Sequence, residues 1–445
     1  MDLDLRRCAW VGVIAAWVIT AGTSAFPVAA EQVPTNYWLT VSTERTNALY
    51  HKGEEVVFKI KLLLDQQPIN DAEVQWTVSK DGMPPTRNGK LRLIEGGGTV
   101  PAKLDEPGFL QCRVTFLTPA KTTLHEVAGA GIDPLQIKPS LPVPRDFDAF
   151  WSAQKKELAA VPINAKLTRV GSPQAEVECF DLQADCVGAS VSGYFARPTA
   201  AKERSLPIIL TVHGAGVRSS GLSGTADWAK QGFLALDINA HGIPNGKPDR
   251  YYSELAEGAL KGYPVQGRQS RDTVYFRGMF LRLVRAIDFL TAQPEWDGRT
   301  LIVSGSSQGG AQAIVAAGLD SRVTFFAAAV PALCDHSGAV VGRISGWPKL
   351  VPTDADGKPD AKVLEAARYY DAMNFATRAR AAGIVPVGFI DTTCPPTSVY
   401  AAYNALKGRK EIFNDPPSVH LVSPGAGAAM HNAILRHVEA MKKAK

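Results

Sequence analysis

Long apolar runs, clusters of basic residues and metal-binding spacings are all scarce in this sequence. Beyond residue 30 no apolar run is long enough to span a bilayer, which excludes a membrane-embedded body. The 48 Lys and Arg residues and the 43 Asp and Glu residues are dispersed, with no basic run of the kind that binds phosphates. Nucleic acid is therefore not expected as a partner.

The first thirty residues have the layout of a cleavable secretory signal. Arg6 and Arg7 precede an apolar stretch over 9–21, and the small residues at 28–30 are typical of a cleavage site. The apolar stretch is short, which favours cleavage over the alternative of an uncleaved anchor. We therefore predict removal of residues 1–30, export to a periplasm or the cell exterior, and no membrane association after cleavage.

Cysteine is sparse as well. The chain has six cysteines, and no CxxC pair or His/Cys spacing suggests a metal site. Removal of the signal leaves five, an odd number, so at least one thiol stays free or pairs between chains. A chain of 445 residues does not need disulfides to fold, and we interpret these cysteines mainly as packing residues. We expect neither a metal nor an organic cofactor.

Two different patterns divide the rest of the chain. Residues 31–132 contain short segments of alternating apolar and polar residues separated by turn residues, which predicts a β-sandwich accessory domain. This domain is expected to act as a spacer, with carbohydrate binding as the alternative. A proline-rich linker is predicted at 133–146, and the catalytic domain at 147–445.

Beyond the linker, continuous aliphatic runs alternate with helical segments. Strands are predicted at 206–213, 232–239, 300–305, 323–330, 384–390 and 410–414. Continuous aliphatic strands are typical of a sheet that is buried on both faces, and the segment 272–293 has the helical period between two of them. The pattern predicts an α/β fold with a mainly parallel sheet and flanking helices.

The motif GSSQG, residues 305–309, lies between one of these strands and a helix-forming segment. A serine on a tight strand-to-helix turn is typical of the α/β-hydrolase nucleophile, and flanking glycines avoid side chains that would collide with it. The alternative is a corner of small residues where a strand packs on a helix. The context favours Ser307 as a nucleophile and the α/β-hydrolase fold.

A serine nucleophile needs a histidine base, and the histidine needs a carboxylate that orients its ring. In α/β-hydrolases the acid follows the serine in the chain and lies on a loop after a later strand. Asp391 directly follows the predicted strand 384–390, and we prefer this role to the alternative of a helix cap. Asp335, Asp371 and Asp415 are less well placed.

The base should come last in the chain, on another loop. His420 lies in a Pro/Gly-rich loop between the last predicted strand and the last predicted helix, where a mobile base is expected. His431 and His437 belong to the terminal amphipathic stretch, where surface or packing roles are more typical. We predict His420 as the base, with His431 as the main alternative.

Two backbone N–H groups are needed to stabilise the oxyanion that forms during acyl transfer. Gln308 should supply one, through its backbone rather than its side-chain amide, and Ala215 in the loop 213–216 should supply the other. His213 ends a buried strand and is expected to be structural. His241 is a candidate either for a substrate contact or for a buried structural hydrogen bond.

Longer motifs around these residues are much more specific than GSSQG. They are PRDFDAFW, GSSQGGAQAIVAAGLDSRV, VPALCDH, YYDAMNFA and DTTCPPTSVYAAYNALKGRKEI. Through them about 300 residues, from 144 to the C-terminus, resemble the acetyl xylan esterase and cephalosporin C deacetylase family, carbohydrate esterase family 7. The resemblance matches Ser307, Asp391 and His420 with the family's nucleophile, acid and base, and it implies a homo-oligomer that the added sandwich could alter.

Three positions differ from the family pattern. Ala240-His241-Gly242 replaces the family's Arg-Gly-Gln, Ala215 stands where tyrosine is common, and Leu421 where glutamate follows the base. Since alanine keeps its backbone N–H, the oxyanion site is unaffected in principle. The smaller side chain widens the acyl side of the pocket, so esters of acyl groups larger than acetyl stay an alternative class of substrate.

Together these features predict an exported serine esterase that deacetylates acetylated carbohydrates of the xylan or xylo-oligosaccharide type through an acyl-enzyme. Segments 243–270 and 335–370 are expected to rim the substrate pocket. One alternative is an esterase or peptidase of the same fold that acts on larger acyl or aromatic esters. Another is a polysaccharide-binding protein that uses the hydrolase fold only as a scaffold.

Overall fold

The computed structural model describes residues 36–443. The predicted signal peptide, residues 1–30, lies outside the described residues. Among the residues described, none of the helices has the length and apolar character needed to cross a membrane. From Tyr37 onward the chain forms one compact unit, in which a strand-rich N-terminal part packs directly on an α/β part.

The N-terminal part consists of two largely antiparallel sheets. Its strands are β1 (Tyr37–Thr43), β2 (Leu49–Tyr50), β3 (Glu55–Leu64), β4 (Gln67–Pro68), β5 (Glu73–Lys80), β6 (Arg87–Arg92), β7 (Gly97–Lys103), β8 (Gly108–Leu117) and β9 (Thr123–Ile132). One sheet has the order β1-β3-β4, with β7 also paired to β3, and the other has the order β2-β9-β8-β5-β6. Alternate residues of β3, such as Phe58 and Ile60, share a core with Val114 of β8. This is the arrangement of a β-sandwich.

The predicted linker, 133–146, is held against the α/β part. Asn404 donates two hydrogen bonds to backbone carbonyls in the first half of the segment, at 2.8 and 2.9 Å. Further along, the Ser140 hydroxyl donates to the Asp335 carboxylate at 2.7 Å. The connection therefore begins with a short 3-10 helix, Pro134–Gln136, and is held in place by these bonds. The domain boundaries themselves stay predictions.

The α/β part is built on a nine-stranded sheet. Its strands are β10 (Lys166–Val170), β11 (Val177–Ala184), β12 (Val191–Pro198), β13 (Leu206–Val212), β14 (Leu234–Ile238), β15 (Trp296–Ser306), β16 (Phe325–Ala329), β17 (Ala382–Gly388) and β18 (Lys410–Asp415). Its helices are α1 (Phe147–Ala159), α2 (Leu222–Lys230), α3 (Asp249–Glu257), α4 (Phe276–Thr291), α5 (Gln308–Leu319), α6 (Ala361–Ala367), α7 (Ala372–Ala376), α8 (Pro396–Ala405) and α9 (Pro424–Lys443).

The strand order is β10-β11-β12-β14-β13-β15-β16-β17-β18. The strands from β14 to β18 in this order pair in parallel, while β10, β11 and β12 add an antiparallel edge. Each predicted aliphatic run overlaps one of the strands, and the predicted helical segment contains α4. The α/β fold class with a mainly parallel sheet is confirmed.

Consecutive aliphatic residues occur in the strands because helices cover both faces of the sheet. In β13, Ile208 and Leu210 belong to one buried cluster and Ile209 to another, and all three are 0% exposed. Successive strand residues point to opposite faces, so neither face of this strand meets water. Helices α4 and α5 pack on one face, and α2 and α9 on the other.

The loops at the carboxyl ends of four parallel strands hold the predicted site. Ser307 follows β15, Asp391 follows β17, His420 follows β18, and the loop 213–216 follows β13. Because parallel neighbouring strands end at the same edge of a sheet, these loops are brought together there.

Candidate active site

Ser307 stands at the turn between β15 and α5, with φ of 57° and ψ of −120°. A non-glycine residue at positive φ is strained, and it persists only where the surrounding structure holds it. Here the Ser307 N–H donates to the carbonyl of Ala329 at 2.9 Å, and the Ser307 carbonyl accepts from the N–H of Ala332 at 3.0 Å. The turn therefore fixes the serine at the edge of the sheet.

The two glycines of the motif are required by close contact with β13. A β-carbon at position 305 would lie 2.6 Å from the carbonyl oxygen of Val212, and one at position 309 would lie 2.1 Å from the same oxygen. Both distances are far below van der Waals contact, so only glycine fits at either position. The spacing of the motif thus follows from the packing of the turn on β13.

Ser307, His420 and Asp391 form a continuous hydrogen-bonded chain. His420 Nε2 lies 2.8 Å from Ser307 Oγ, and His420 Nδ1 lies 2.7 Å from Asp391 Oδ2. An ionised carboxylate can only accept hydrogen bonds, so a bond to Asp391 requires the proton on Nδ1 and leaves Nε2 to accept from the serine hydroxyl. This is the arrangement that a histidine needs to act as a base toward a serine.

Asp391 is fixed on its other side by its own loop. Its side chain is 0% exposed, and Oδ1 accepts hydrogen bonds from the backbone N–H groups of Thr393 and Cys394, both at 2.8 Å. The carboxylate thus both organises the turn before α8 and bonds the ring of His420, whose side chain is 25% exposed. Asp391 is not the helix cap that was its alternative role, because Pro395 is the N-cap of α8 and no side chain caps that helix.

The other C-terminal histidines lie in different surroundings. The ring of His431 on α9 lies 5.2 Å from the ring of Trp228, and His437 Nε2 is 3.0 Å from Thr324 Oγ1. Burial lowers the pKa of His437 to about 4, so this residue is neutral near pH 7. These contacts are those of packing residues on α9.

Two of the other candidate acids, Asp371 and Asp335, are committed to structural bonds. Asp371 accepts from the backbone N–H groups of Asp335, His336 and Met373, the last at the start of α7. Burial raises the pKa of Asp371 to about 7. Asp335 in turn accepts from Ser140, as described above. Neither carboxylate is placed on the loops that hold the serine and the histidine.

The loop after β13 passes beside the serine. A β-carbon at position 214 would lie 3.5 Å from Ser307 Cβ and 3.4 Å from the carbonyl oxygen of Ser306. Ala215, the next residue, is exposed, and Gln308 is the first residue of α5. The first N–H groups of a helix have no partner within the helix. The structure thus places both predicted oxyanion segments next to the serine.

His213 fixes the start of this loop. Its Nδ1 is 2.6 Å from the carbonyl oxygen of Gly214, and its Nε2 accepts from the backbone N–H of Ala240 at 3.1 Å. Burial lowers the pKa of His213 to about 4, so the ring is neutral near pH 7 and bridges two loops. The structural role expected of this residue agrees with these contacts.

His241 is more deeply buried than a residue that contacts substrate would be. Its side chain is 3% exposed, with Nδ1 2.7 Å from the Tyr275 hydroxyl and Nε2 3.1 Å from the carbonyl oxygen of Gly216. Burial lowers the pKa of His241 to about 4. Both nitrogens are engaged within the protein, so the geometry speaks against substrate binding by His241 and favours its structural alternative.

Tyr263 connects the two predicted oxyanion segments, and no sequence motif marks this residue. Its hydroxyl donates to Gln308 Oε1 at 2.6 Å and accepts from the Gly216 N–H at 3.3 Å. Gln308 is 0% exposed, so its side chain lies inside the protein, and the prediction that Gln308 acts through its backbone N–H stays a prediction. The sequence offered no signal beyond the position of Tyr263 in the predicted rim segment 243–270.

Cys394 completes a group of potential metal ligands with Asp391 and His420, whose ligand atoms all lie within 4.8 Å of one another. Both oxygens of Asp391 and both nitrogens of His420 already take part in hydrogen bonds. Burial raises the pKa of the Cys394 thiol above its ordinary value, which disfavours the thiolate that a metal would need. This donor set therefore fits a proton relay better than a metal site.

Two solved structures are similar to about two thirds of this chain. The acetyl xylan esterase from Paenibacillus sp. R4 matches with a TM-score of 0.59 and 29% identity, covering 68% of this chain and 98% of that one. Acetyl xylan esterase 1 from Thermoanaerobacterium sp. JW/SL YS485 matches with a TM-score of 0.57 and 22% identity, covering 68% and 97%. The second likeness supports the fold alone.

The sequence comparisons cover more of the chain. Residues 133–420 match the family model described as Acetyl xylan esterase (AXE1). The acetyl esterase Axe7A of Xylanibacter ruminicola is 32% identical over 407 residues, 90% of this chain and 90% of that protein, so its similarity extends into the sandwich. The chain therefore belongs to the acetyl xylan esterase family and is a carboxylic ester hydrolase of the serine-dependent α/β-hydrolase type.

Proposed function

We propose that this esterase is exported and removes acetyl groups from acetylated carbohydrates of the xylan or xylo-oligosaccharide type, using Ser307, His420 and Asp391. The observation that carries the proposal is the hydrogen-bonded chain from Asp391 through His420 to Ser307. Its membership of the acetyl xylan esterase family supports an acetyl ester as the substrate. The proposed export depends on the signal pattern at 1–30, and N-terminal sequencing of the mature protein tests it.

In the acylation step, Ser307 Oγ attacks the ester carbonyl carbon while His420 Nε2 accepts the hydroxyl proton. Asp391 stabilises the imidazolium that forms and keeps its ring oriented. The N–H groups of Gln308 and Ala215 are the proposed donors to the oxyanion. His420 then gives its proton to the leaving sugar oxygen, which leaves an acetyl-enzyme.

Deacylation repeats the sequence with water as the nucleophile. His420 accepts a proton from the water as it attacks the acetyl carbonyl, and it returns the proton to Ser307 Oγ when acetate departs. Every proton transfer in the cycle is assigned to His420, so the mechanism as written uses no metal or organic cofactor.

The proposed substrate class predicts a preference for acetyl esters over esters of longer acyl groups. We expect acetate release from acetylated xylo-oligosaccharides to exceed, in kcat/KM, the hydrolysis of longer acyl esters and of peptides. Side-by-side kinetics on these three substrate types measure it. Because Ala215 is small and exposed, an esterase for larger acyl groups is the second candidate, and faster cleavage of longer esters would favour it.

Replacement of Tyr263 by phenylalanine should lower kcat about tenfold, because the change removes the bonds to Gln308 and Gly216 that align both oxyanion segments. Tyr251→Phe, a change of the same type on α3, is the matched control. Steady-state kinetics on an acetyl ester measure the effect. Equal kcat for the two variants would show that Tyr263 does not position the oxyanion donors.

A further inference from the structure

The turn that carries Asp391 is contacted directly by the sandwich. Gln111 of β8 donates from Nε2 to the carbonyl oxygen of Phe389 at 3.3 Å. Gly129 of β9 pairs with Gln111 across the two strands, and a β-carbon at position 129 would lie only 2.6 Å from the same carbonyl oxygen. Two directly opposite residues of the sandwich thus meet the backbone two residues before the proposed acid.

A second contact lies on the other side of Asp391. A β-carbon at position 82, in the turn after β5, would lie 3.0 Å from Thr392 Cγ2, so the sandwich reaches this residue closely as well. Gly82 has φ of 73°, a conformation that favours glycine. The segment 389–392 is therefore bounded by the sandwich both before and after the acid.

The side chain of Phe389 anchors the same turn. It is 0% exposed, and its ring lies 4.9 Å from the ring of Phe109 at the start of β8, in an edge-to-face arrangement. The Phe109 ring also lies 5.5 Å from the ring of Tyr400 on α8. Such aromatic pairs contribute about 0.5–1.5 kcal/mol beyond the area that they bury. Phe389 is thus held at its backbone and its side chain by the sandwich.

The segment is also bonded to the loop of the proposed base. The Phe389 N–H donates to the carbonyl oxygen of Asp415, and the Ile390 N–H donates to that of Ser418, both at 3.3 Å. Ser418 precedes His420 by two residues. A displacement at Phe389 therefore acts on both loops whose side chains form the Asp391 to His420 bond of 2.7 Å.

We propose that the sandwich is a positioning element for the esterase site, in which Gln111 and Gly129 hold Phe389 so that the Asp391 carboxylate stays aligned with His420. The inference rests on the triad proposed above and extends it to residues outside the catalytic fold. A triad tolerates displacements of only about 0.5 Å, and a buried amide donor such as Gln111, 4% exposed, offers little freedom. The sandwich is thus part of the enzyme's working unit, beyond the spacer role.

The full-length Gly129→Ala variant tests the proposal. The added methyl group should push Phe389 away and lower kcat for an acetyl ester about 10- to 100-fold, with KM nearly unchanged. Gly98→Ala is the matched control, because its β-carbon would lie 2.7 and 2.9 Å from Leu91 and Leu93 inside the sandwich core. We expect the control to lower the melting temperature and leave kcat near that of the wild type.

A double-mutant cycle separates positioning from general damage. If Gly129 acts through Asp391, adding Gly129→Ala to Asp391→Asn should change kcat by less than about twofold. Gln111→Leu removes the donor without crowding, and it should also lower kcat in an enzyme that retains its folded circular dichroism spectrum. This variant keeps the test decisive if Gly129→Ala does not fold.

Three results would overturn the inference: an equal loss of kcat in Gly98→Ala, the same loss from Gly129→Ala in both backgrounds, or wild-type kcat in Gln111→Leu. Ser307→Ala, measured in parallel, distinguishes this failure from failure of the proposed function. An inactive Ser307→Ala with an unaffected Gln111→Leu rejects only the positioning role, whereas an active Ser307→Ala rejects the triad and the positioning role with it.

Discussion

Replacement of Ser307 by alanine should lower kcat for acetyl-ester hydrolysis by about 10⁶, because the only change is loss of the oxygen that forms the acyl-enzyme. The methyl group fits the strained turn without new contacts, so the folded state should be retained. Kinetics on a chromogenic acetyl ester, with circular dichroism as a check of folding, measure the effect. Activity within tenfold of the wild type would reject the proposed nucleophile.

Replacement of His420 by alanine should lower kcat by a similar factor, because nucleophile and base act as one unit and the effects of removing them do not add. The matched control is His431→Ala, which removes the same side chain from α9, where the ring lies against Trp228. We expect the control to retain wild-type kcat. An inactive His431→Ala beside an active His420→Ala would reverse the assignment of the base.

Chain order and strand position were sufficient to predict which side chains meet. Ser307, Asp391 and His420 each follow a strand of a parallel sheet, and the parallel strands bring all three loops to one edge. The hydrogen bonds that join them, over intervals of 113 and 29 residues, connect side chains that local patterns cannot relate. The rule that parallel strands end at the same edge of a sheet is what relates these distant side chains.

Bridging contacts could not be predicted in the same way. Tyr263 acts on Gln308 through a bond across 45 residues, and His241 is buried by aromatic neighbours from other segments of the chain. No periodic pattern marks a tyrosine whose hydroxyl meets a distant amide. The deep burial of His241 likewise depends on the tertiary packing of Tyr263 and Tyr275 around it.

The alternating pattern of its strands predicts the sandwich, but it does not predict that the sandwich contacts the loop of Asp391. Gly129 appears in the sequence as one of several small residues in β9, and Gln111 as an ordinary polar residue in β8. Their role can be recognised only in the folded structure, where both residues contact Phe389 close to the proposed acid. The hydrophobic periodicity of the sandwich and that of the α/β part each predict local structure, and neither predicts which residues of the two parts contact each other.

Asp391→Asn should lower kcat by about 10⁴ while leaving the fold intact. The asparagine oxygen can still accept from the N–H groups of Thr393 and Cys394, so the turn before α8 is preserved. Its NH₂ group, however, would face His420 Nδ1 and donate to it. The ring would then carry its proton on Nε2, where it cannot accept the proton of Ser307.

The matched control for this change is Asp415→Asn, which makes the same replacement at the end of β18 and keeps the backbone carbonyl that bonds Phe389. We expect its kcat to stay near the wild-type value. Steady-state kinetics near neutral pH, with melting temperatures of both variants, measure the difference. If Asp391→Asn retained kcat within tenfold of the wild type while Ser307→Ala was inactive, His420 would work without the carboxylate. The bond of 2.7 Å between Asp391 and His420 would then be structural only, and the positioning role of the sandwich would lose its target.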